Sequence, residues 1–251
     1  MRLVHDVPVA LVDQVGTDRP MYVAYAEEVN AHPDYLAFFR EARQDNKFVI
    51  LSSVAQTGQV VIEDLVEAAV ALRPSEIILP NLPGSPVKSS RLTAEVSSLL
   101  QSAGMDRTPF MAVPHGADFH EYLENVSMLS NYSQVRTIGV TSDVFDKFHT
   151  TRKTFFQAMR KACPRTMHLL GLTDDLADLN DPQSTSLFRS AQTPKAVVWG
   201  LSGTTVRRNV KKVPEYGGRD LFGGDVGFLA YTTDEDAKID AANKNIADWD
   251  G

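Results

Sequence analysis

Lys47-Phe-Val-Ile-Leu-Ser-Ser-Val-Ala-Gln-Thr-Gly-Gln59 and its downstream echo, Glu76-Ile-Ile-Leu-Pro-Asn-Leu-Pro-Gly84, decide the reading of this chain. Each begins as an apolar run rich in Val, Ile and Leu and stops abruptly at small polar residues. In a parallel α/β protein that pattern marks a strand buried on both faces, delivering its C-terminal end to a site. Between the two runs lies Val61-Ile-Glu-Asp-Leu-Val-Glu-Ala-Ala-Val-Ala-Leu-Arg73, a strongly helical segment. Strand, helix and strand are thus written into about 35 residues, the length of one βαβ unit.

The alternation continues outward in both directions. Residues 1–20 are a short lead-in with little pattern, in which Val7-Pro-Val-Ala-Leu-Val12 is a candidate strand. Met21-Tyr-Val-Ala-Tyr-Ala26 reads as the first barrel strand, and a helix is expected over 35–43, after Asp34. Ser89 and Ser90 are expected to cap a helix over 91–100 that Gly104 ends. Strands are expected at 109–114, 136–140, 166–171 and 196–200. Helices fall at 119–129 behind the cap Asp118, at 151–162, at 174–179, near 184–190 and at 234–249. No linker divides the chain, so the fold class is α/β, a single (β/α)8 TIM-type barrel over residues 1–251, with a basic and Gly-rich C-terminal segment at 203–251.

Bulk properties narrow the function. A net charge of -7 argues against a broad electrostatic grip on nucleic acid, although Arg207, Arg208, Lys211 and Lys212 form a local basic cluster. That cluster reads either as a solvated helix face or as a phosphate contact. The lone Cys163 excludes an intramolecular disulfide, and it reads as a half-buried residue near a helix end. Neither a secretory leader nor an apolar run of membrane-spanning length is visible, which points to a cytoplasmic protein without a membrane partner. The six histidines lack metal-ligand spacing, and the phosphate-loop, dinucleotide, zinc-protease and nucleophile-elbow motifs are missing, so no metal and no cofactor are expected. The glycines at 217, 218, 223, 224 and 227 have no strand-to-helix context and read as a surface loop or a phosphate contact.

His115 and Gly116 follow a strand directly and precede a capped helix, where barrel enzymes keep their sites. Two readings stand for His115: a site residue, or a loop histidine bonded to its own backbone. His168, inside a strand, reads as a satisfied core histidine.

Taken in order, several phrases resemble the tRNA-guanine transglycosylase superfamily, in particular its compact branch of phage and bacterial DNA 7-deazaguanine transglycosylases. Phe48-Val-Ile-Leu-Ser-Ser-Val-Ala-Gln56 stands where that family has an apolar strand ending in an aspartate. Glu76-Ile-Ile-Leu-Pro-Asn81 is similar to its "E-I-V-L-P-D", and Ala112-Val-Pro-His-Gly116 with Glu121-Tyr-Leu123 to its "V-P-Q-G…E-W-L". Ile138-Gly-Val140, Met167-His-Leu-Leu-Gly-Leu172, Arg189-Ser-Ala-Gln-Thr193 and Asn245-Ile-Ala-Asp-Trp249 have counterparts in its later segments. Each phrase is short, so the resemblance is specific only in combination.

The resemblance implies exchange of guanine for a 7-deazaguanine base in nucleic acid, DNA more than tRNA, through a flipped nucleotide and a covalent glycosyl intermediate. It places the family's three catalytic aspartates at Ser52, Asn81 and Gln192, all substituted here. It implies substrate-binding roles for Ser53, His115, Gly116, Gly139 and Gly171, and nucleic-acid contacts for Arg207, Arg208, Lys211 and Lys212. Because each replacement removes a negative charge, the alternative implied is a catalytically silent homologue that holds nucleic acid, as a homodimer or beside an active partner. A barrel recruited for a different substrate is the third reading.

Overall fold

The computed structural model describes residues 2–7, 9, 12, 17, 19–53, 61–80, 86–141, 144–170 and 188–192. In chain order the elements are β1 (Arg2–Asp6), β2 (Met21–Tyr25), α1 (Ala26–Ala31), α2 (Pro33–Gln44), β3 (Phe48–Ser52), α3 (Ile62–Leu72), β4 (Glu76–Ile78) and α4 (Pro86–Ser102). They continue with β5 (Phe110–Ala112), α5 (Phe119–Ser130), β6 (Val135–Thr141), α6 (Val144–Lys147), α7 (Arg152–Ala162), β7 (Thr166–Leu170) and β8 (Phe188–Gln192). The strands pair in parallel in this order, and β1 pairs with β8 to close the ring, with Val4 opposite Gln192. The architecture is therefore an α/β barrel of parallel strands. Helices follow β2 to β6 among the described residues; the connections after β7 and β8 lie outside them.

The continuous apolar runs that opened the sequence reading are explained by two separate cores. Val4, Met21, Val23, Ile50, Ile78, Met111 and Val113 fill the inside of the ring. Their sequence neighbours Tyr22, Val49, Leu51, Ile77 and Ala112 belong to the outer core, against helix residues such as Phe39, Leu65, Ala69, Val96 and Phe155. Successive strand residues point to opposite faces, and both faces here are apolar, so no polar alternation is left to see.

Two register shifts adjust that alternation. Phe110 pairs with Val135 and Met111 with Thr137, skipping the exposed Arg136. Met167 pairs with Phe188 and His168 with Ser190, skipping Arg189. The second shift lets Phe188 lie in the outer core against Phe156 while Ser190, two residues on, bonds His168. β-Bulges bend a strand in this way at barrel rims.

The opposite end of the ring, where strands begin, is tied by arginines. Arg73 terminates α3 in the left-handed region (φ 54°), and its Nη1 donates to the Gly104 carbonyl at 3.3 Å. Arg43 Nη1 donates to Ser75 Oγ at 2.8 Å and to the Lys47 carbonyl at 3.1 Å, locking α2 to the starts of β3 and β4. In barrels that end serves stability rather than chemistry.

Several expectations are corrected. The first barrel strand is Arg2–Asp6, not Met21–Tyr25, which is the second. The helix expected near 184–190 is replaced by β8, because Phe188, Ser190 and their neighbours are claimed by pairing to both β7 and β1. Ser89 and Ser90 do not cap α4; the helix starts at Pro86 and both serines are buried within it. Cys163 is buried rather than half-buried, at 6% exposure, and serves as the C-cap of α7. The expected strand at 196–200, the helices at 174–179 and 234–249, and the Gly-rich loop lie outside the described residues. Among the described residues no helix is long and apolar enough to cross a membrane.

Candidate site at the C-terminal mouth of the barrel

The strand ends that face the same rim are Asp6, Tyr25, Ser52, Ile78, Ala112, Thr141, Leu170 and Gln192. Ser52 closes β3 beside Tyr25 on one side and Ile78 on the other, and it is 4% exposed. Ser53 follows at 5% exposure, and its Oγ has no hydrogen-bond partner among the described residues. A buried hydroxyl without a partner loses its water without replacement, a deficit of about 1–3 kcal/mol.

The β5 end is built by its own helix. Asp118 caps α5, its Oδ1 accepting from the Glu121 backbone N–H at 2.9 Å, while Glu121 Oε2 accepts in return from the Ala117 N–H. This reciprocal arrangement is a variant of the capping box, and it fixes the direction in which the chain leaves β5. The half-buried His115 then donates its backbone N–H to Asn125 Oδ1 at 3.0 Å, and Asn125 Nδ2 reaches Ser90 Oγ at 3.4 Å inside the wall. Gly116 lies so close to α5 that a Cβ would collide with the Tyr122 backbone nitrogen and sit 2.8 Å from the Asp118 carbonyl oxygen. Gly116 thus permits the turn that holds His115, a packing role at the site's edge.

Below the mouth the ring is filled. A Cβ on Gly139 would meet Leu170 Cδ1 at 2.8 Å, Met111 Sδ at 3.2 Å and Val113 Cγ2 at 3.3 Å, so this glycine lies in the packed interior. His168 Nδ1 and Ser190 Oγ are 2.8 Å apart, both fully buried, which matches the expected core histidine. Thr137 Oγ1 donates to Glu76 Oε1, a buried carboxyl at the start of β4. Among the described residues no group of three or more His, Cys, Asp or Glu could hold a metal ion.

Of the three positions expected to carry chemistry, Ser52 and Gln192 lie at the same end of the ring, on strands separated by β1 and β2. Asn81, Gly171, Arg207, Arg208, Lys211 and Lys212 lie outside the described residues. The sequence reading did not place a strand end at Asp6. It is the one acid among the eight strand-terminal residues, on the strand next to Gln192. The signal was there, an apolar pair at Leu3 and Val4 stopping at His5-Asp6, but it sits in a lead-in too short to show periodicity.

No family model and no curated protein sequence matches the chain. Among solved structures it is similar to the YdjI aldolase of Escherichia coli K12, with a TM-score of 0.60 and 11% identity, covering 98% of this chain and 89% of that one. This likeness shows the fold, an α/β barrel. It also corrects the expected function. The barrel matched is that of an aldolase, and the guanine-to-7-deazaguanine exchange, with the silent-subunit alternative tied to it, finds no support there. The residue types agree: neither a serine at position 52 nor a glutamine at position 192 is the carboxylate nucleophile that a glycosyl intermediate requires.

Proposed function

We propose that the chain is a barrel enzyme acting on a small hydroxylated carbonyl compound at the mouth, with carbon–carbon bond cleavage or formation of the aldolase type as its reaction. The observation that carries the location is the Ser52–Ser53 pair, two buried hydroxyls at a strand tip, one of them without a partner among the described residues. Ligand sites in barrels are built at this rim, with a few polar groups set into apolar walls. The reaction class rests on the fold likeness to an aldolase, so it is an inference by analogy. The reading takes the chain as the full (β/α)8 barrel that the sequence predicts.

In the cleavage direction a base takes the proton of the β-hydroxyl, and the bond between the α and β carbons breaks. Its electron pair flows into the carbonyl to give an enolate, which is then protonated at carbon. Among the described residues His115, half-buried just after β5, is suited by type to proton transfer at the rim. The serine hydroxyls are suited to donate to the carbonyl oxygen as charge develops there.

The test is turnover of a panel of short β-hydroxy aldehydes and ketones, scored by release of the carbonyl fragment. Cleavage is expected from the wild-type chain and should fall at least about 100-fold in His115→Ala, in line with loss of acid–base assistance. A chain that binds these compounds but leaves them intact would reduce the reading to a binding barrel. A chain that neither binds nor cleaves any of them would overturn it.

A further inference from the structure

On the buried face of α5, Tyr122, Val126 and Leu129 join the outer core, and Asn125 stands among them at 2% exposure. Neither the helix nor the core asks for an asparagine there. Its side chain competes with the helix for backbone hydrogen bonds, and its carboxamide loses water on burial. A leucine would serve both demands better. Departures of this kind, where the local rules give way, are expected beside functional sites.

The carboxamide is engaged at both ends. Oδ1 accepts from the His115 backbone N–H at 3.0 Å, and Nδ2 donates to Ser90 Oγ at 3.4 Å. Ser90 is buried in α4, so one side chain joins the helix that follows β4 to the chain that leaves β5. The other restraints on this turn act further along it. The Asp118 and Glu121 carboxylates accept from the Glu121 and Ala117 N–H groups, and Gly116 abuts the Tyr122 backbone. Asn125 grips His115 itself.

We propose that Asn125 is a positioning residue for His115. It fixes the backbone from which the imidazole springs, and Ser90 in turn fixes the carboxamide. The inference rests on the reading of His115 as the proton-transfer group. Such a group works only within hydrogen-bond reach of its target, and a displacement of about 1 Å costs on the order of 100-fold in rate. A carboxamide takes no proton in the working pH range, so Asn125 acts through placement alone.

Cleavage of the β-hydroxy aldehyde and ketone panel decides it, measured for the wild-type chain and for Asn125→Leu, Asn125→Asp and Ser90→Ala, alone and with His115→Ala. Asn125→Leu should lower kcat at least about 10-fold with KM nearly unchanged, the mark of lost placement rather than lost binding. Ser90→Ala should do the same more weakly, and it carries the comparison if Asn125→Leu does not fold. Asn125→Asp keeps the acceptor for the His115 N–H and lets Ser90 donate in return, so it should recover most of the loss. In the His115→Ala background Asn125→Leu should lower kcat no further, whereas a purely structural asparagine would cost the same in both. NMR of the ligand-free chain supplies a readout that needs no turnover. In Asn125→Leu the His115 amide should exchange at least about 5-fold faster, and the His115 ring signals should move. Additive losses, a wild-type kcat in Asn125→Leu, or unmoved His115 signals would overturn the proposal. A wild-type chain that cleaves nothing would sink the reaction instead, and the His115 signals would then judge the clamp.

Discussion

Three residues show how differently the same feature behaves in different surroundings. Gly104 ends α4 with φ 78° and has nothing within 4 Å of a Cβ position, so Gly104→Ala meets only backbone strain. It should cost about 1 kcal/mol, the penalty for a left-handed L-residue. Gly116 meets backbone atoms of α5 instead, which cannot swing aside, and Gly116→Ala should cost about 3 kcal/mol in urea unfolding. The loss should be accompanied by weaker ligand binding at the rim, since the turn holding His115 is displaced. Near-equal costs for the two variants would contradict the close packing of the His115 turn. Cys163 makes a pH prediction. Burial pushes its thiol above the ordinary range, with a backbone hydrogen bond at Arg165, the Ser130 side chain and the Arg165 charge acting the other way. The unfolded chain then loses its thiol proton near pH ~8.5 while the native chain keeps it. Between those two values the native state holds more protons, so its stability falls as pH rises. Cys163→Ala should flatten that alkaline fall, and the native thiol should react with disulfide reagents only as fast as the chain unfolds.

At the scale of elements, the strands written as unbroken apolar runs were legible, and the two that close the ring were not. β3 and β4 sit where Lys47-Phe-Val-Ile-Leu-Ser and Glu76-Ile-Ile-Leu foretold them, because burial on both faces leaves a compositional mark that needs no partner to be seen. β1 spans five residues, of which Leu3 and Val4 alone are aliphatic, and β8 reads Phe-Arg-Ser-Ala-Gln. Their strand character comes from pairing with each other and with β2 and β7, a tertiary cause that no local window contains. The bulge at Arg189 erases even the period-two signal in β8. Asp118 was legible as a cap and has its partner Glu121 three residues away, whereas Ser89 and Ser90, followed at that spacing by Leu92 and Thr93, are buried inside α4 instead. The bond from Thr137 on β6 to Glu76 on β4 joins two strands through the interior. Thr137→Val keeps the shape and removes the donor, and should lower stability by about 1–3 kcal/mol, as loss of a hydrogen bond to a buried acid does. A neutral result in denaturant titration would mean that the carboxyl does not depend on this donor.

At the scale of the molecule, the barrel was readable and its chemistry was not. Alternating strand and helix patterns prescribe where a site lies in such a fold, since the rim is common to all its members, but what the rim does is set by a handful of side chains. In the proposed reaction those are Ser52, Ser53 and His115, and a resemblance built on short phrases around them pointed toward base exchange that the aldolase likeness does not support. Closure of the ring also makes a prediction of its own. Deleting residues 1–6 removes the strand that joins β2 to β8 and leaves two open edges. That chain should lose its cooperative thermal transition and aggregate, as exposed edges do. The measurement that tests the central claim most directly is amide-resolved NMR of the wild-type chain titrated with a small hydroxylated ketone such as dihydroxyacetone. Shifts should concentrate at Ser52, Ser53, His115 and Thr141, around one rim of the ring. Shifts confined to the arginine-tied end, with the rim unmoved, would contradict the placement of the site.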